Sequence, residues 1–315
     1  IIVGGLTRLT NSGLSITEWE LFSGILPPMN QVSWQLYFES YQKIPQYKLI
    51  NYNMNINEFK IIFYWEYAHR ILARLIGLFF LFPLIFFYIS KKINKKYLRT
   101  SYIILFLILT QGLMGWYMVK SGLINDVTVS HYRLAIHLSL AFIIISAIFW
   151  LLKNIKYKTD KKFFNLKKNN LLFLFLIFLI FLQIISGALV SGLDAGRIYQ
   201  TWPLMGLSYF PNDLNLPNFR ILTDLSNHSL VQFYHRNLGY IVTIYVFILG
   251  FYIYNKNLKN LFSPLKILFV FLLLQIILGV FTLISGLNIY LASAHQLNSV
   301  LLVFTAINLY FYQTK

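Results

Sequence analysis

Four of the six histidines stand at repeated places in the chain, and they are the side chains whose type and spacing best fit a chemical role. They are His69, His137, His235 and His295. A neutral imidazole is costly in apolar surroundings unless it is partnered, so an ionisable residue inside a membrane segment is a candidate for function. Imidazoles from two helices can bind one haem iron from opposite faces of the porphyrin. The four histidines therefore predict two bis-histidine haem sites, one in each half of the chain.

Zinc or copper would also accept imidazole ligands. The chain has no cysteine, however, and Glu66 is the only carboxylate close in sequence to one of these histidines within an apolar segment. No intramembrane cluster of carboxylates or cysteines completes a zinc or copper site beyond Glu66. Haem is therefore the favoured ligand.

Glu66 lies one helical turn before His69, which places both side chains on one face of a helix. The same position before His235 is occupied by Gln232, so the two halves differ in charge. A carboxylate beside one haem could relay protons or position water. This predicts a reactive N-terminal half and a C-terminal half that only carries electrons. The alternative is a structural glutamate that is stabilised by the dipole at a helix N-terminus.

Four arginines lie close to these histidines in sequence, namely Arg70, Arg74, Arg133 and Arg236. One interpretation is that their side chains extend to lipid headgroups. The other is that each guanidinium pairs with a haem propionate through charge-assisted hydrogen bonds. The remaining histidines, His131 and His228, have no repeat partners and are interpreted as interfacial or loop residues.

The elements that must position these residues are membrane helices. Of 315 residues, 57% are hydrophobic and 12% are charged, whereas soluble domains are about 25% charged. Apolar runs of about 20 residues are long enough to cross a bilayer core of about 30 Å. Seven such spans are predicted, at 62–89, 101–120, 130–152, 170–190, 230–254, 267–286 and 292–313. A water-soluble enzyme is excluded, and the chain is predicted to be an all-α polytopic membrane protein.

The net charge of +17 reflects topology. Fifteen of the 27 Lys and Arg residues lie in three short loops, around residues 91–99, 153–168 and 256–266. The loops that alternate with them are long and nearly balanced in charge. The positive-inside rule therefore places the three basic loops in the cytoplasm or matrix, and nucleic acid is not expected as a partner.

An internal repeat organises the chain. Ser-Gly-Leu begins at Ser12, Ser121, Ser191 and Ser285, each time where an outward helix is predicted to end. Three copies follow a Gln-x-x-x-Gly pattern, formed by Gln111 and Gly115, Gln183 and Gly187, and Gln275 and Gly279. Glycine permits close helix approach or ends a helix, and glutamine offers a hydrogen bond between helices. The predicted unit is an outward helix, an outer loop and a returning helix, repeated four times.

These observations predict two pseudo-symmetric four-helix bundles. Residues 1–152 would form the N-terminal half with one haem site, 153–168 a cytoplasmic or matrix linker, and 169–315 the C-terminal half with the other haem site. Residues 1–5 are interpreted as the last turn of a truncated first helix, which gives eight helices in the intact protein. The outer loop around 10–60, rich in Trp and Tyr, is expected to form an ordered cap over the first site.

Several strings resemble haem A synthase, over essentially the whole chain. They are GGLTRLTNSGLS at 4–15, IPQYK at 44–48, EYAHRILARLIG at 66–77, GLDAG at 192–196 and WPLM at 202–205. The similarity is to the cysteine-free branch of the family, from mitochondria and proteobacteria. It places the protein in a bacterial inner membrane or the mitochondrial inner membrane, with haem sites toward the periplasmic or intermembrane side.

The resemblance implies oxidation of the C8 methyl of haem O to the formyl group of haem A, the cofactor of cytochrome oxidases. It implies that His69 and His137 hold haem O, that Glu66 is needed for the reaction, and that His235 and His295 ligate haem b. The implied chemistry is successive hydroxylation of the methyl group, followed by dehydration of the gem-diol. Implied partners are a haem O synthase, the cytochrome oxidase assembly machinery, an electron donor and the lipid bilayer, and a homo-oligomer is compatible with this architecture.

The residues alone leave other functions open. A membrane carrier or exporter of haem would hold haem without modifying it, and it gives no reason for a carboxylate in one half only. A di-haem b-type electron carrier that oxidises quinol would also leave its haems unaltered. That arrangement is expected to stack haems across the membrane, whereas the four histidines all lie toward one side.

Overall fold

A computed structural model describes residues 1–19, 23–123, 127–214 and 222–314. Within these ranges the chain is helical, and a single isolated β-bridge joins Met205 and Ser208. The described ranges form ten α-helices: α1 (Ile2–Leu9), α2 (Gln31–Gln42), α3 (Pro45–Leu49), α4 (Ile56–Ile89), α5 (Lys95–Gly122), α6 (His131–Lys156), α7 (Lys168–Gly192), α8 (His228–Asn255), α9 (Phe262–Ile284) and α10 (Ile289–Gln313).

Seven helices in the described ranges are long and apolar enough to cross a membrane. They are α4 to α10, and they coincide with the seven predicted spans. The prediction of an all-α polytopic membrane protein is thereby confirmed. Several begin where the sequence offers a capping side chain: Asn55 caps α4 in a capping box with Glu58, and Asn227 and Asn288 cap α8 and α10. Such caps satisfy backbone N–H groups that have no partner within the helix.

The chain divides into two compact units, Ile1–Leu140 and Ala141–Lys315, and the division falls within α6. The first unit contains α1 to α5 and the start of α6; the second contains the rest of α6 and α7 to α10. Helix α1 continues to Leu9, beyond the stretch expected at residues 1–5, and it packs against α4. The Thr7 hydroxyl of α1 donates to the Trp65 carbonyl of α4.

The outer segment before α4 has a core of its own, made largely of aromatic side chains. Trp34, Phe38 and Tyr41 of α2 are buried against Phe59 and Phe63 of α4. Burial raises the pKa of Tyr41 to about 12. The described part of this loop is therefore ordered, as expected, and its role as a cap over the first site stays a prediction.

The basic loop after α6 folds back onto the ends of its neighbours in the second unit. Asn154 accepts hydrogen bonds from the Thr159 hydroxyl and the Lys161 amide, both at 2.8 Å. The Trp150 indole donates to the Lys161 carbonyl at 2.8 Å, and the Lys161 ammonium donates to the Phe311 carbonyl at 3.0 Å. The segment predicted as a linker is therefore fixed by backbone and side-chain hydrogen bonds.

Candidate functional site

Each of the four repeated histidines packs against a glycine of another helix in the same unit. The pairs are Gly4 with His69, Gly115 with His137, Gly187 with His235 and Gly279 with His295. A Cβ atom added at Gly4, Gly187 or Gly279 would lie 2.9 Å from an imidazole atom, and one added at Gly115 would lie 3.3 Å away. Real Cβ atoms essentially never approach other atoms within 3.0 Å. Glycine at these places therefore lets an imidazole contact the backbone of the neighbouring helix.

The sequence predicted that these glycines allow close helix approach. It did not indicate that the approaching group is the imidazole itself. The signal was present in the spacing, since the glycines of α5, α7 and α9 each stand four residues after a glutamine. We call each glycine with its histidine a histidine seat.

Glutamine side chains one turn before the glycines reach the same histidines, as predicted for a hydrogen bond between helices. The amide nitrogens of Gln111 and Gln183 donate to the backbone carbonyls of His137 (3.1 Å) and His235 (3.0 Å). The Gln275 amide nitrogen lies 3.2 Å from Nε2 of His295, and that of Gln111 lies 3.2 Å from Nε2 of His137. An amide nitrogen can only donate, so in these two bonds the imidazole nitrogen accepts.

The first unit brings His69 and His137 together. Their ring centroids are 6.5 Å apart, with planes at 87°. Two imidazoles on opposite sides of one metal ion have ligating nitrogens about 4 Å apart, twice a metal–nitrogen bond of about 2 Å. Ring centroids lie further out than the ligating nitrogens, so the observed spacing fits a bis-imidazole site.

The donor set also suits haem better than a bare ion. Among the described residues, no group of three or more His, Cys, Asp or Glu side chains could hold a metal ion. A porphyrin supplies four nitrogens of its own and needs only the two axial ligands that such a pair offers.

Glu66 is almost fully buried, with 2% of its surface exposed. One carboxylate oxygen accepts from the Ser15 hydroxyl and the Ile16 amide, both at 2.8 Å. The other accepts from Nε and Nη2 of Arg70, at 3.0 and 2.6 Å. Glu66 lies ten residues after Ile56, the first residue of α4, and the helix dipole acts within the first turn. The dipole interpretation of Glu66 is therefore wrong, and direct donors stabilise the carboxylate instead.

Arg70 is held within the protein. Besides Glu66, it donates to the carbonyls of Ile16 (2.8 Å) and Glu18 (3.1 Å), and its guanidinium lies 5.1 Å from the centre of the Trp19 ring. Only 10% of its side chain is exposed. Glu66 and Arg70 together thus fasten the first outer loop to α4, a role that sequence reasoning missed because it depends on residues about 50 positions away.

The second unit fastens its outer loop from the same two positions with different chemistry. Gln232, the counterpart of Glu66, donates to the Tyr199 carbonyl at 2.8 Å. Arg236, the counterpart of Arg70, donates to the carbonyls of Tyr199, Thr201 and Leu204. The second unit thus holds its loop through carbonyl acceptors, without a buried carboxylate at this position.

A carboxylate of the second loop supplements these bonds outside the membrane spans. Asp213 accepts from the hydroxyls of Tyr199 (2.7 Å) and Ser229 (2.6 Å). Burial alone would raise the pKa of Asp213, but these hydrogen bonds outweigh it and lower the pKa below its usual value. The bond to Asp213 raises the pKa of the Tyr199 phenol.

The other predicted site arginines differ in the hydrogen bonds that their guanidinium groups form within the protein. Arg74 donates to the Gly24 carbonyl at 3.0 Å. Arg133 lies one helical turn before His137 and 5.1 Å from the centre of the Tyr117 ring, and its Nη1 is buried without a hydrogen-bond partner in the described ranges. Nε of Arg236 is likewise buried without a hydrogen-bond partner in the described ranges. His131 and His228 begin α6 and α8, outside the four seats.

Comparison with known proteins gives a consistent result. Residues 1–307 match the family model for cytochrome oxidase assembly protein, COX15-CtaA. A protein of Pelagibacter ubique named heme A synthase is 52% identical over 303 residues, covering 96% of this chain and 89% of that protein. A protein of the same name from Rickettsia felis is 42% identical, and the match covers 99% of this chain and 93% of that protein. Another from Rickettsia prowazekii is 40% identical, and the match covers 99% of this chain and 92% of that protein.

The buried pair of Glu66 and Arg70 generates a stability prediction. Arg70→Met leaves the carboxylate buried without its cation, which costs about 3–5 kcal/mol in comparable pairs. We expect a lower unfolding temperature in detergent, measured by intrinsic fluorescence. The double variant Glu66→Gln/Arg70→Met should recover part of the loss, because the uncompensated charge is gone.

Arg74→Met is the matched control, since Arg74 bonds a carbonyl one turn further along α4. Equal unfolding temperatures for Arg70→Met and Arg74→Met would contradict the importance of the buried ion pair.

Proposed function

This chain belongs to the COX15-CtaA family of cytochrome oxidase assembly proteins, and on that basis we propose that it is a haem A synthase, which oxidises the C8 methyl of haem O to a formyl group. The observation that carries the proposal is the repeated histidine seat, present twice in each half, combined with a buried carboxylate in the first half only. The names of relatives that match nearly the whole chain support it. The product would serve as the cofactor of cytochrome oxidase.

We propose that His69 and His137 hold the haem O substrate and that His235 and His295 hold haem b. The 6.5 Å separation of the first pair supports one shared iron. Haem b, when bound, supplies one-electron transfer. The methyl group of haem O would be hydroxylated twice, from CH3 to CH2OH to CH(OH)2, and loss of water would then give the formyl group. This removes four electrons from the carbon, and dioxygen is the proposed terminal oxidant, with an external reductant as electron donor.

Two roles are open to Glu66. As a general base, its carboxylate would take a proton released near the methyl group and return it to solvent. As a positioning residue, it would hold Ser15 and Ile16 of the outer loop over the substrate and exclude water. The four donors around the carboxylate support the second role directly. The first requires one of these donors to release it during turnover.

For the propionates, we propose Arg133 in the first half and Arg236 in the second. Each has a buried guanidinium nitrogen without a hydrogen-bond partner in the described part of the chain, and each is near a seated histidine in sequence. Propionate oxygens would satisfy these donors with charge-assisted bonds. Arg70 and Arg74 are better explained by their bonds to the first outer loop.

The helices suggest where the sites lie in the membrane. The seated histidines stand 20, 19, 20 and 18 residues before the last residue of α4, α6, α8 and α10, respectively. At 1.5 Å per residue this is about 30 Å from the basic ends, close to the far edge of the hydrocarbon core. We therefore propose a bacterial inner-membrane protein with its haem sites toward the periplasm. A haem O synthase in the same membrane would supply its substrate.

The proposed activity is tested by co-expressing the chain with a haem O synthase in a bacterial host that makes no haem A. Haems are then extracted and identified by chromatography and mass. We expect haem A or hydroxylated haem O. Bound haem without modified product, from a folded protein with an intact respiratory chain, would contradict the proposal and favour an electron carrier or haem carrier.

The role of Glu66 is tested by comparing two variants. If Glu66 moves a proton, Glu66→Gln should keep its haem content within about twofold but lose haem A formation by about 100-fold or more, the range typical for general acid–base catalysis. Ser15→Ala removes one donor and keeps the carboxylate, so it should retain most activity. Equal losses in both variants would instead assign Glu66 to positioning of the loop.

The histidine seat also gives a prediction. Gly115→Ala places a methyl group 3.3 Å from the His137 ring, whereas a Cβ at Gly112, on the same helix, meets nothing within 4 Å. We expect Gly115→Ala to lower the occupancy of haem in the first half, measured as haem per protein. Gly112→Ala should leave it unchanged. A similar haem content in both variants would contradict a role of the seat in haem binding.

A further inference from the structure

The two histidines of the second unit each have a hydrogen-bond acceptor at Nδ1. Nδ1 of His295 lies 3.1 Å from the Gln275 backbone carbonyl, which can only accept, so this nitrogen carries the proton. Its Nε2 then keeps a lone pair. The backbone of α9 thus fixes the tautomer of His295.

Nδ1 of His235 also carries the proton, but its acceptor is a side-chain hydroxyl. It lies 2.9 Å from Oγ of Ser186, and this hydroxyl donates its single proton to the Gln183 carbonyl, also at 2.9 Å. The Gln183 amide nitrogen lies 3.2 Å from Nδ1 and 3.4 Å from Nε2, so it is in line with neither ring nitrogen's lone pair. Ser186 Oγ is closer to Nδ1, and because its own proton is used, it accepts from the imidazole. The chain from His235 through Ser186 to the Gln183 carbonyl therefore puts the proton on Nδ1 and leaves Nε2 with its lone pair.

The histidines of the first unit have no such acceptor among the described residues. Nδ1 of His137 is buried without a hydrogen-bond partner. His137 Nε2 accepts from the Gln111 amide, so the unpartnered nitrogen is the one that carries the proton. No hydrogen bond is formed by the ring of His69 within the described ranges, although Gly4 seats it.

The sequence explains the difference between His137 and His235. Ser186 immediately precedes the seat glycine Gly187, and Met114 occupies the same place before Gly115. A thioether is at most a weak acceptor. Both units contain the histidine seat, but the hydroxyl directly before the seat glycine is present at Ser186 and absent at Met114.

We propose that this hydrogen bonding decides which haem stays and which is exchanged. Ser186 is a positioning residue that anchors His235 as a permanent ligand. The free Nδ1 of His137 leaves the first pair weaker and exchangeable, as a substrate site requires. This inference rests on the proposed assignment of haem O to the first half and haem b to the second.

The physical reason is that the imidazole nitrogen that does not bind iron affects how strongly the other nitrogen binds it. A ligating imidazole that donates from its other N–H to an acceptor is fixed in orientation and binds metal more strongly, and loss of such an outer partner costs about 10–100-fold in affinity. Stronger donation also favours ferric over ferrous iron. The second site should therefore release haem more slowly, and its haem should have a lower midpoint potential than it would without Ser186.

The experiment uses the full chain loaded with haem b in two backgrounds, each with one pair of ligands. His69→Ala/His137→Ala keeps the second site, and His235→Ala/His295→Ala keeps the first. Haem release to apomyoglobin is followed by absorbance. We expect slower release from the second site than from the first.

In the second-site background, Ser186→Ala should speed release about tenfold or more and raise the midpoint potential. Ser186→Thr keeps a hydroxyl and should restore both values. Thr243→Ala is the matched control, because among the described residues that hydroxyl bonds only the Gly239 carbonyl of its own helix. In the first-site background, Met114→Ser should slow release, whereas Met118→Ser, about 6 Å further along α5, should not.

Release rates and potentials of Ser186→Ala within twofold of the parent would overturn the inference, provided that the unfolding temperature shows a folded protein. So would equal rates from the two sites. These measurements need no turnover. If the chain forms no haem A but shows the predicted release rates, the proposed synthase activity is wrong and the inference about haem exchange stands. If the chain forms haem A but releases haem equally fast from both sites, the synthase activity stands and the inference is wrong.

Discussion

The approach of an imidazole to the backbone of a neighbouring helix is the contact on which the rest of this structure depends. A histidine in the membrane needs a defined place and polar partners, because lipid provides none. Glycine supplies the place by removing the Cβ atom, and a glutamine one turn earlier supplies an amide in three of the four cases. Four copies of this arrangement set the contacts within each pair of outward and returning helices.

The outer loops depend on the same helices. The residue three positions before His69 or His235 and the arginine directly after it bind loop backbone in both units. In the first unit the partners include a buried carboxylate, Glu66, and in the second an amide, Gln232. A loop can be held by either chemistry, so the charge of Glu66 is not needed for fastening alone. The buried charge is therefore what distinguishes the first unit from the second at this position.

Small sequence differences within a common repeat account for the difference between the units. The histidine seats are retained throughout, while the residues next to them vary. Ser186 and Met114 show how one such change alters the partner of an imidazole nitrogen without altering the fold. Two chemically similar sites can in this way serve different purposes, one that keeps its ligand and one that releases it.

The sequence by itself determined the fold class, the seven spans, the repeat and the family, because hydrophobic length, charge bias and local strings are properties of the chain. It also identified the four histidines and Glu66. It did not determine the partners of these residues. The bonds from Ser15 and Ile16 to Glu66, the glycine under each imidazole and the hydroxyl at Nδ1 of His235 join positions that are far apart in sequence. Only the packing of the helices brings them within hydrogen-bond distance, and that packing decides what each side chain can do.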